Sequence, residues 1–248
     1  MNQFTFHRPG VNNDENLEIY TPSTQEQFKD QFSEILEQEH YQKGRIKRDM
    51  TIIDCGANVG LASIYFKDWA KVIYALEPNS QNFSALVMNT KQFKNIKPFH
   101  TGLAARASIE SLRSNDGNLI GESLFGNGEI TEQVKMYSLE DFMNENKINH
   151  VDLLKMDAEG AEYIVFPSMS FERVAHKIDY IIGEAHYFNT LRPEYVPLIL
   201  ADVGYDMQFL PIVNMYTVFD WLEERERHYR IEERTLFFAK RKELPWPS

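Results

Sequence analysis

A single cysteine, Cys55, stands in the 248 residues. One thiol cannot close an internal disulfide, so the fold must rest on a buried core and the chain suits a reducing compartment. Next to Gly56 and at the end of an apolar run, Cys55 reads as a small buried side chain. Long apolar stretches are missing too. Nothing approaches the roughly 18 apolar residues of a membrane span, and Met1–Gly10 lacks the apolar centre of a secretory signal. The expected location is cytoplasmic. Positive charge is scarce, with 26 Lys and Arg against 37 Asp and Glu, a net charge of −11. That balance argues against a nucleic-acid partner, which needs clustered Lys and Arg, and points to small or hydroxylated ligands without strong negative charge. Repeats and low-complexity segments are also missing.

What is present is an ordinary soluble composition, 43% hydrophobic and 25% charged, long enough for one large α/β domain. Phe28, Phe32, Ile35 and Leu36 recur at helical spacing over residues 26–40, and the polar "QKGRIKRD" separates that helix from the first strand. Residues 1–48 therefore read as an N-terminal helical cap and 49–248 as the main domain. Apolar strands at 51–55, 71–77, 96–104, 150–157 and 177–186 alternate with helices beginning near Gly60, Ser80 and Ala161. Ser138-Leu139-Glu140-Asp141 has the form of a capping box. "ASIESLRS" and "EQVKMYSL" read as strands joined by a turn region, "NDGNLIGESLFGNGE". A helix at 194–202 and strands "YDMQFL" and "TLFFAKR" close the chain, with "DWLEERERHYRIEER" between them as a solvated helical face. Strand–helix alternation predicts an α/β fold, a mostly parallel central sheet with helices on both faces and ligands at the strands' carboxyl ends.

Four carboxylates end four of those strands: Asp54, Glu77, Asp157 and Glu184. The first is followed by Cys55-Gly56-Ala57-Asn58-Val59-Gly60, where glycines permit a tight turn and close approach of a ligand. Asn58 and Leu61 stand where a dinucleotide fingerprint needs glycine. Asn is the best substitute for Gly where φ is positive. An acid at this strand end suits a cationic ligand such as an ammonium or sulfonium. Glu77 follows at roughly the 20-residue spacing at which α/β nucleotide sites place a carboxylate on the ribose hydroxyls. S-adenosyl-L-methionine meets both demands.

The stretches "IIDCGANVGLASIYF", "VIYALEPNSQNF", "SLEDFM", "DLLKMDAEGAEYIVF" and "IIGEAH" together resemble the FkbM-type methyltransferase family. The resemblance spans about residues 50–186, and "MDAEGAE" is its most specific part. It implies a Rossmann-like class I methyltransferase fold, S-adenosyl-L-methionine as cofactor, and O-methylation of a hydroxyl on a small molecule such as a sugar or secondary metabolite. It also implies that Asp54, Gly56, Ala57, Asn58 and Gly60 form the cofactor loop and that Glu77, Pro78 and Asn79 form the ribose motif.

Methyl transfer to a hydroxyl requires in-line approach and removal of a proton. His186, beside Glu184 at a strand end, is the favoured base because its ordinary pKa lies near 6.5. Asp157 and Glu159 flank the turn after the fourth main strand; they can orient substrate, bind a metal or cap the next helix. Asp157, Glu184 and His186 could instead hold Mg²⁺, which is the less favoured reading. Lys155 should share a strand face with Asp157 and form a salt bridge to an acid. Two alternatives stand beside the methyltransferase: an NAD-dependent oxidoreductase, which shares the sheet and Glu77 but lacks the phosphate-loop glycines, and a non-catalytic cofactor-binding module.

Overall fold

The computed structural model describes residues 1–8, 15–115, 118–123, 129–186, 193–210 and 234–247. The chain opens with an antiparallel hairpin, β1 (Asn2–Arg8) and β2 (Glu15–Thr21). Helix α1 (Gln25–Phe32) follows and continues through a π-helical turn, Ser33–Glu37, so the expected N-terminal helix is present. Phe28, Phe32 and Leu36 are buried, as the helical spacing predicts.

The central unit then alternates strand and helix. Its elements are β3 (Met50–Cys55), α2 (Leu61–Phe66), β4 (Ala70–Leu76), α3 (Ser80–Thr90) and β5 (Ile96–Phe99). Asn79 caps α3 by accepting the Gln81 and Asn82 N–H groups. A smaller sheet interrupts the alternation: β6 (Gly102–Leu103), β7 (Ser108–Asn115), β8 (Asn118–Ser123) and β9 (Ile130–Tyr137). Residues 118–123 were expected within a turn region; they pair with β7 instead, across a register shift between Arg113 and Asn115. Local glycine and asparagine content gave no sign of that pairing, because a strand's register is settled by its neighbour.

The chain returns through α4 (Leu139–Glu145), β10 (Val151–Met156), α5 (Glu162–Val165), α6 (Met169–Ala175) and β11 (Ile178–His186). Ser138 caps α4 through the Asp141 N–H at 3.1 Å, as its motif predicts. Helix α6 is separate from the short helix before it; Ser168 caps it and accepts the Phe171 N–H. Helix α7 (Tyr195–Asp202), β12 (Tyr205–Phe209) and β13 (Arg234–Arg241) complete the described elements. Of the charged stretch expected as a helical face, 220–234, all but Arg234 lies outside the described residues, and Arg234 opens β13.

Seven strands form the main sheet in the order β12-β13-β11-β10-β3-β4-β5. β5, β4, β3, β10 and β11 are mutually parallel, and β13 runs antiparallel to both of its neighbours. Parallel strands are covered on both faces, which explains their continuous apolar runs. Alternation along each strand divides the core into two clusters. Ile53, Cys55, Leu154 and Met156 belong to one, and Ile52, Leu153, Ile182 and Phe238 to the other. The second cluster also takes Leu17, Ile19, Phe28, Phe32, Leu36 and Tyr41. The N-terminal 48 residues therefore share a hydrophobic core with the sheet. Among the described residues no helix is long and apolar enough to cross a membrane.

Candidate active site

The strand-end carboxylates gather at one edge because β3, β4, β10 and β11 run the same way. Alternation does the rest. Asp54 follows Ile52 on its face of β3, Lys155 follows Leu153 on β10, and Glu184 and His186 follow Ile182 on β11. Lys155 stands in register with Asp54 across the β3–β10 ladder. Its Nζ lies 3.1 Å from Asp54 Oδ1 and 3.5 Å from Asp157 Oδ2, and donates to the Gly56 carbonyl at 2.7 Å. Burial alone would lower the Lys155 pKa; Asp54 and Asp157 outweigh it and hold the ammonium charged. The predicted salt bridge is there.

Asp54 is fully buried, and Ser63 of α2 donates to its Oδ2 at 2.6 Å. Its carboxylate is turned beneath the loop and does not line the cleft. Ser63 and Lys155 are its partners, at the position where a cationic ligand was expected. Gly56 has φ +77°, and a Cβ there would stand 1.8 Å from the Asp157 carbonyl oxygen. The glycine is thus demanded by the neighbouring strand-end turn. Asn58 takes φ +51°, the left-handed conformation expected of it. Gly60 adopts φ +96° at the start of α2, against Leu86 of α3.

A cleft partly open to solvent runs along this edge. Gly56, Ala57, Asn58, Glu77, Pro78 and Asn79 line it, together with Leu103, Leu112 and Met136. Strand order places Glu77 on one side of the β3 loop and Asp157, Glu159 and Glu184 on the other. Gln31, Glu34 and Ile35 reach the cleft from the N-terminal helical segment. Glu77 accepts the Asn58 N–H at 2.7 Å and the Asn79 N–H at 2.9 Å, one on each oxygen. Burial pushes its carboxyl up to about 7, against the lowering effect of those two N–H groups. Each oxygen keeps a further lone pair for another donor.

His186 sits behind this wall. It does not line the cleft, whereas Asp157, Glu159 and Glu184 do. Its backbone N–H donates to Glu162 Oε1 at 2.8 Å and its Nδ1 lies 2.9 Å from the same atom. Nε2 faces Asp157 Oδ1 at 3.7 Å and Glu159 Oε2 at 3.6 Å. Burial acts to lower the His186 pKa, but Glu162, Glu159 and Asp157 outweigh it and raise it to about 10. An imidazolium has no lone pair to receive a proton, so at neutral pH this ring is a cation. That differs from the free base expected of it, and the surrounding carboxylates are the reason. The donor atoms of Asp157, Glu184 and His186 lie within 4.8 Å of one another, a spacing that can hold a metal ion.

Two contributors were missed in the sequence. Glu162, fully buried, locks the His186 ring and accepts the Gly160 N–H at 3.1 Å. It is the last acid of "MDAEGAE", so its signal lay inside a motif already singled out. Tyr41 is the other; its hydroxyl donates to Asp157 Oδ2 at 2.9 Å. Nothing local marks it, because its partner lies 116 residues away. The Cys55 thiol is buried and pushed up to about 12 by burial, which keeps it an unreactive core group.

A five-stranded parallel run with one reversed strand inserted near its edge, and a glycine loop and an acid after its first two strands, define a Rossmann-like methyltransferase. The chain belongs to the FkbM methyltransferase domain family, which matches residues 54–230. Methyltransferase sdnD of Sordaria araneosa is 24% identical over 71% of this chain and 81% of its own length. The fibrillarin pre-rRNA processing protein of Methanococcus jannaschii shares the fold at a TM-score of 0.52 and 13% identity, over 96% of this chain and 82% of that one. Precorrin-6y C5,15-methyltransferase from Geobacter metallireducens superposes at a TM-score of 0.47 and 13% identity, over 84% and 89% of the two chains. The protein is a methyltransferase, and S-adenosyl-L-methionine is its cofactor. The cleft fits that group: a buried carboxylate with spare lone pairs at Glu77, apolar surface at Leu103, Leu112 and Met136, and acids suited to a sulfonium. Nothing in the family or the fold favours the oxidoreductase reading.

Proposed function

We propose that the chain methylates a hydroxyl of a small molecule, such as a sugar or secondary metabolite. One observation carries the reading: Asp157, Glu159 and Glu184 stand on the cleft wall beside the cofactor loop. Ionised carboxylates are acceptors only, and they line the place where a hydroxyl must give up its proton. When bound, S-adenosyl-L-methionine supplies a methyl group on an electrophilic sulfonium. Glu77 would hold the ribose hydroxyls, and the Gly56–Asn58 backbone, which lines the same cleft, would support the rest of the cofactor. Pro78, Leu103, Leu112 and Met136 offer the apolar surface that an adenine ring requires.

At the acceptor side, Asp157 receives the hydrogen bond of the hydroxyl and then its proton. His186 stands behind it as an imidazolium and holds the carboxylate's charge in place, and Glu162 fixes the ring. This assigns the base to Asp157 and makes His186 its electrostatic support, without a metal ion in the step. The net charge of −11 and the free buried Cys55 support a small-molecule acceptor and a cytoplasmic setting. The test is a methyl-labelled donor offered with a panel of sugars and polyols. Label should appear in a small hydroxylated product with release of S-adenosylhomocysteine. S-adenosylhomocysteine should also raise the melting temperature, and NAD should not. Labelling of RNA or protein alone would overturn the acceptor class.

A further inference from the structure

Tyr41 precedes the family-matched residues 54–230 and follows a helical segment whose sequence looks purely structural. Its side chain is fully buried in the core cluster that joins the N-terminal segment to the sheet, 6.4 Å from the Phe66 ring. A phenylalanine would serve that packing as well. The hydroxyl is the unexplained part. It donates to Asp157 Oδ2 at 2.9 Å and stands 3.5 Å from Glu184 Oε1, while Lys155 Nζ lies 5.8 Å from the ring centroid.

These contacts divide the two oxygens of Asp157. Oδ2 is held by the Tyr41 hydroxyl and lies 3.5 Å from Lys155 Nζ. Oδ1 faces His186 Nε2 at 3.7 Å. A carboxylate fixed through one oxygen presents the other in a single orientation, and a donated hydrogen bond favours its charged form. We propose that Tyr41 is a positioning residue for methyl transfer, acting through Asp157, so that the segment before the family domain completes the active site. The inference rests on the reading of Asp157 as the acceptor-side carboxylate. The charged groups around Asp157 include Lys155 on β10, Glu184 and His186 on β11, Glu159 in the turn and Glu162 on α5, and Glu34 of the N-terminal segment lines the same cleft. The N-terminal segment reaches Asp157 through the Tyr41 hydroxyl.

The test needs no acceptor. Protein labelled with ¹³C at aspartate carboxyl carbons is titrated by NMR, and the Asp157 signal is assigned by its loss in Asp157→Asn. In Tyr41→Phe the Asp157 midpoint should rise by about one pH unit, the size of shift expected when one donor to a charged carboxylate is removed. S-adenosylhomocysteine affinity and the melting temperature should stay close to wild type. An unchanged midpoint overturns the proposal. So does a rise accompanied by a large fall in melting temperature, which would make Tyr41 a packing residue. With an acceptor in hand, Tyr41→Phe should slow turnover roughly ten- to a hundredfold and have little further effect in an Asp157→Asn background, because the two residues act as one unit. Wild-type protein that binds no S-adenosylhomocysteine would defeat the methyl-transfer reading and leave the titration interpretable on its own.

Discussion

Burial raises the Glu77 carboxyl to about 7, and a diol donating to it favours the ionised form. The protonated acid must lose its proton on binding, so cofactor affinity should be level above pH 7 and fall by up to about tenfold per pH unit below it. Glu77→Ala should weaken S-adenosylhomocysteine binding by roughly ten- to a hundredfold, and Glu77→Asp should recover little because the shorter side chain cannot span two hydroxyls. Titration calorimetry across pH 5–8 checks both; a flat profile and unchanged affinity would remove the ribose role. At Asp157 the expected loss for Asp157→Asn is about a hundred- to ten-thousandfold in turnover, with cofactor affinity little changed. Turnover should survive exhaustive chelation. Activity abolished by EDTA and restored by Mg²⁺ would make Asp157, Glu184 and His186 ligands instead. His186 adds a stability signature. Its folded pKa of about 10 lies above the ordinary 6.5, so its stabilisation is complete below pH 6.5 and is lost as pH rises through 10. Denaturant melts of wild type and His186→Gln should therefore converge between pH 7 and 10.

At the scale of elements, the turns after β3 and β10 lean on each other. Gly56→Ala would put a methyl group 1.8 Å from the Asp157 carbonyl oxygen at a φ that side chains avoid. The substitution should lower the melting temperature by roughly 5–15 °C, the span of a few kcal/mol in a domain of this size, and disturb cofactor binding with it. A melting temperature within two degrees of wild type would show that the two turns move independently. The N-terminal helical segment serves two ends at once, since Phe28, Phe32 and Leu36 enter the core and Gln31, Glu34 and Ile35 reach the cleft. Helical periodicity revealed the first set directly. Gln31 and Glu34 could not be read, because which polar residues of a helix meet a cleft depends on where that helix docks; Ile35, on the apolar spacing, packs against the core and also lines the cleft. The hairpin β1–β2 and strand β8 escaped for a related reason: their pairing partners, and not their own composition, make them strands.

For the whole molecule, a net charge of −11 opposes any extended phosphate backbone. Gel-shift and filter-binding assays with structured RNA should show no complex at about 150 mM salt, where electrostatic attachment is already weak. Tight, salt-sensitive RNA binding would overturn the small-molecule acceptor.

The sequence by itself determined the alternation of strands and helices, the strand-end acids, the positive-φ Asn58 and the Lys155 ion pair, because each follows from periodicity or from spacing along one or two neighbouring strands. Only the tertiary structure decided what those acids do. Strand order and loop packing turn Asp54 under the loop, place His186 behind Asp157 as a cation, and bring Tyr41 onto the same carboxylate across 116 residues. The physical reason is range: protonation state and hydrogen-bond partner depend on every charge and dipole within a few ångströms, and chain spacing does not encode that neighbourhood.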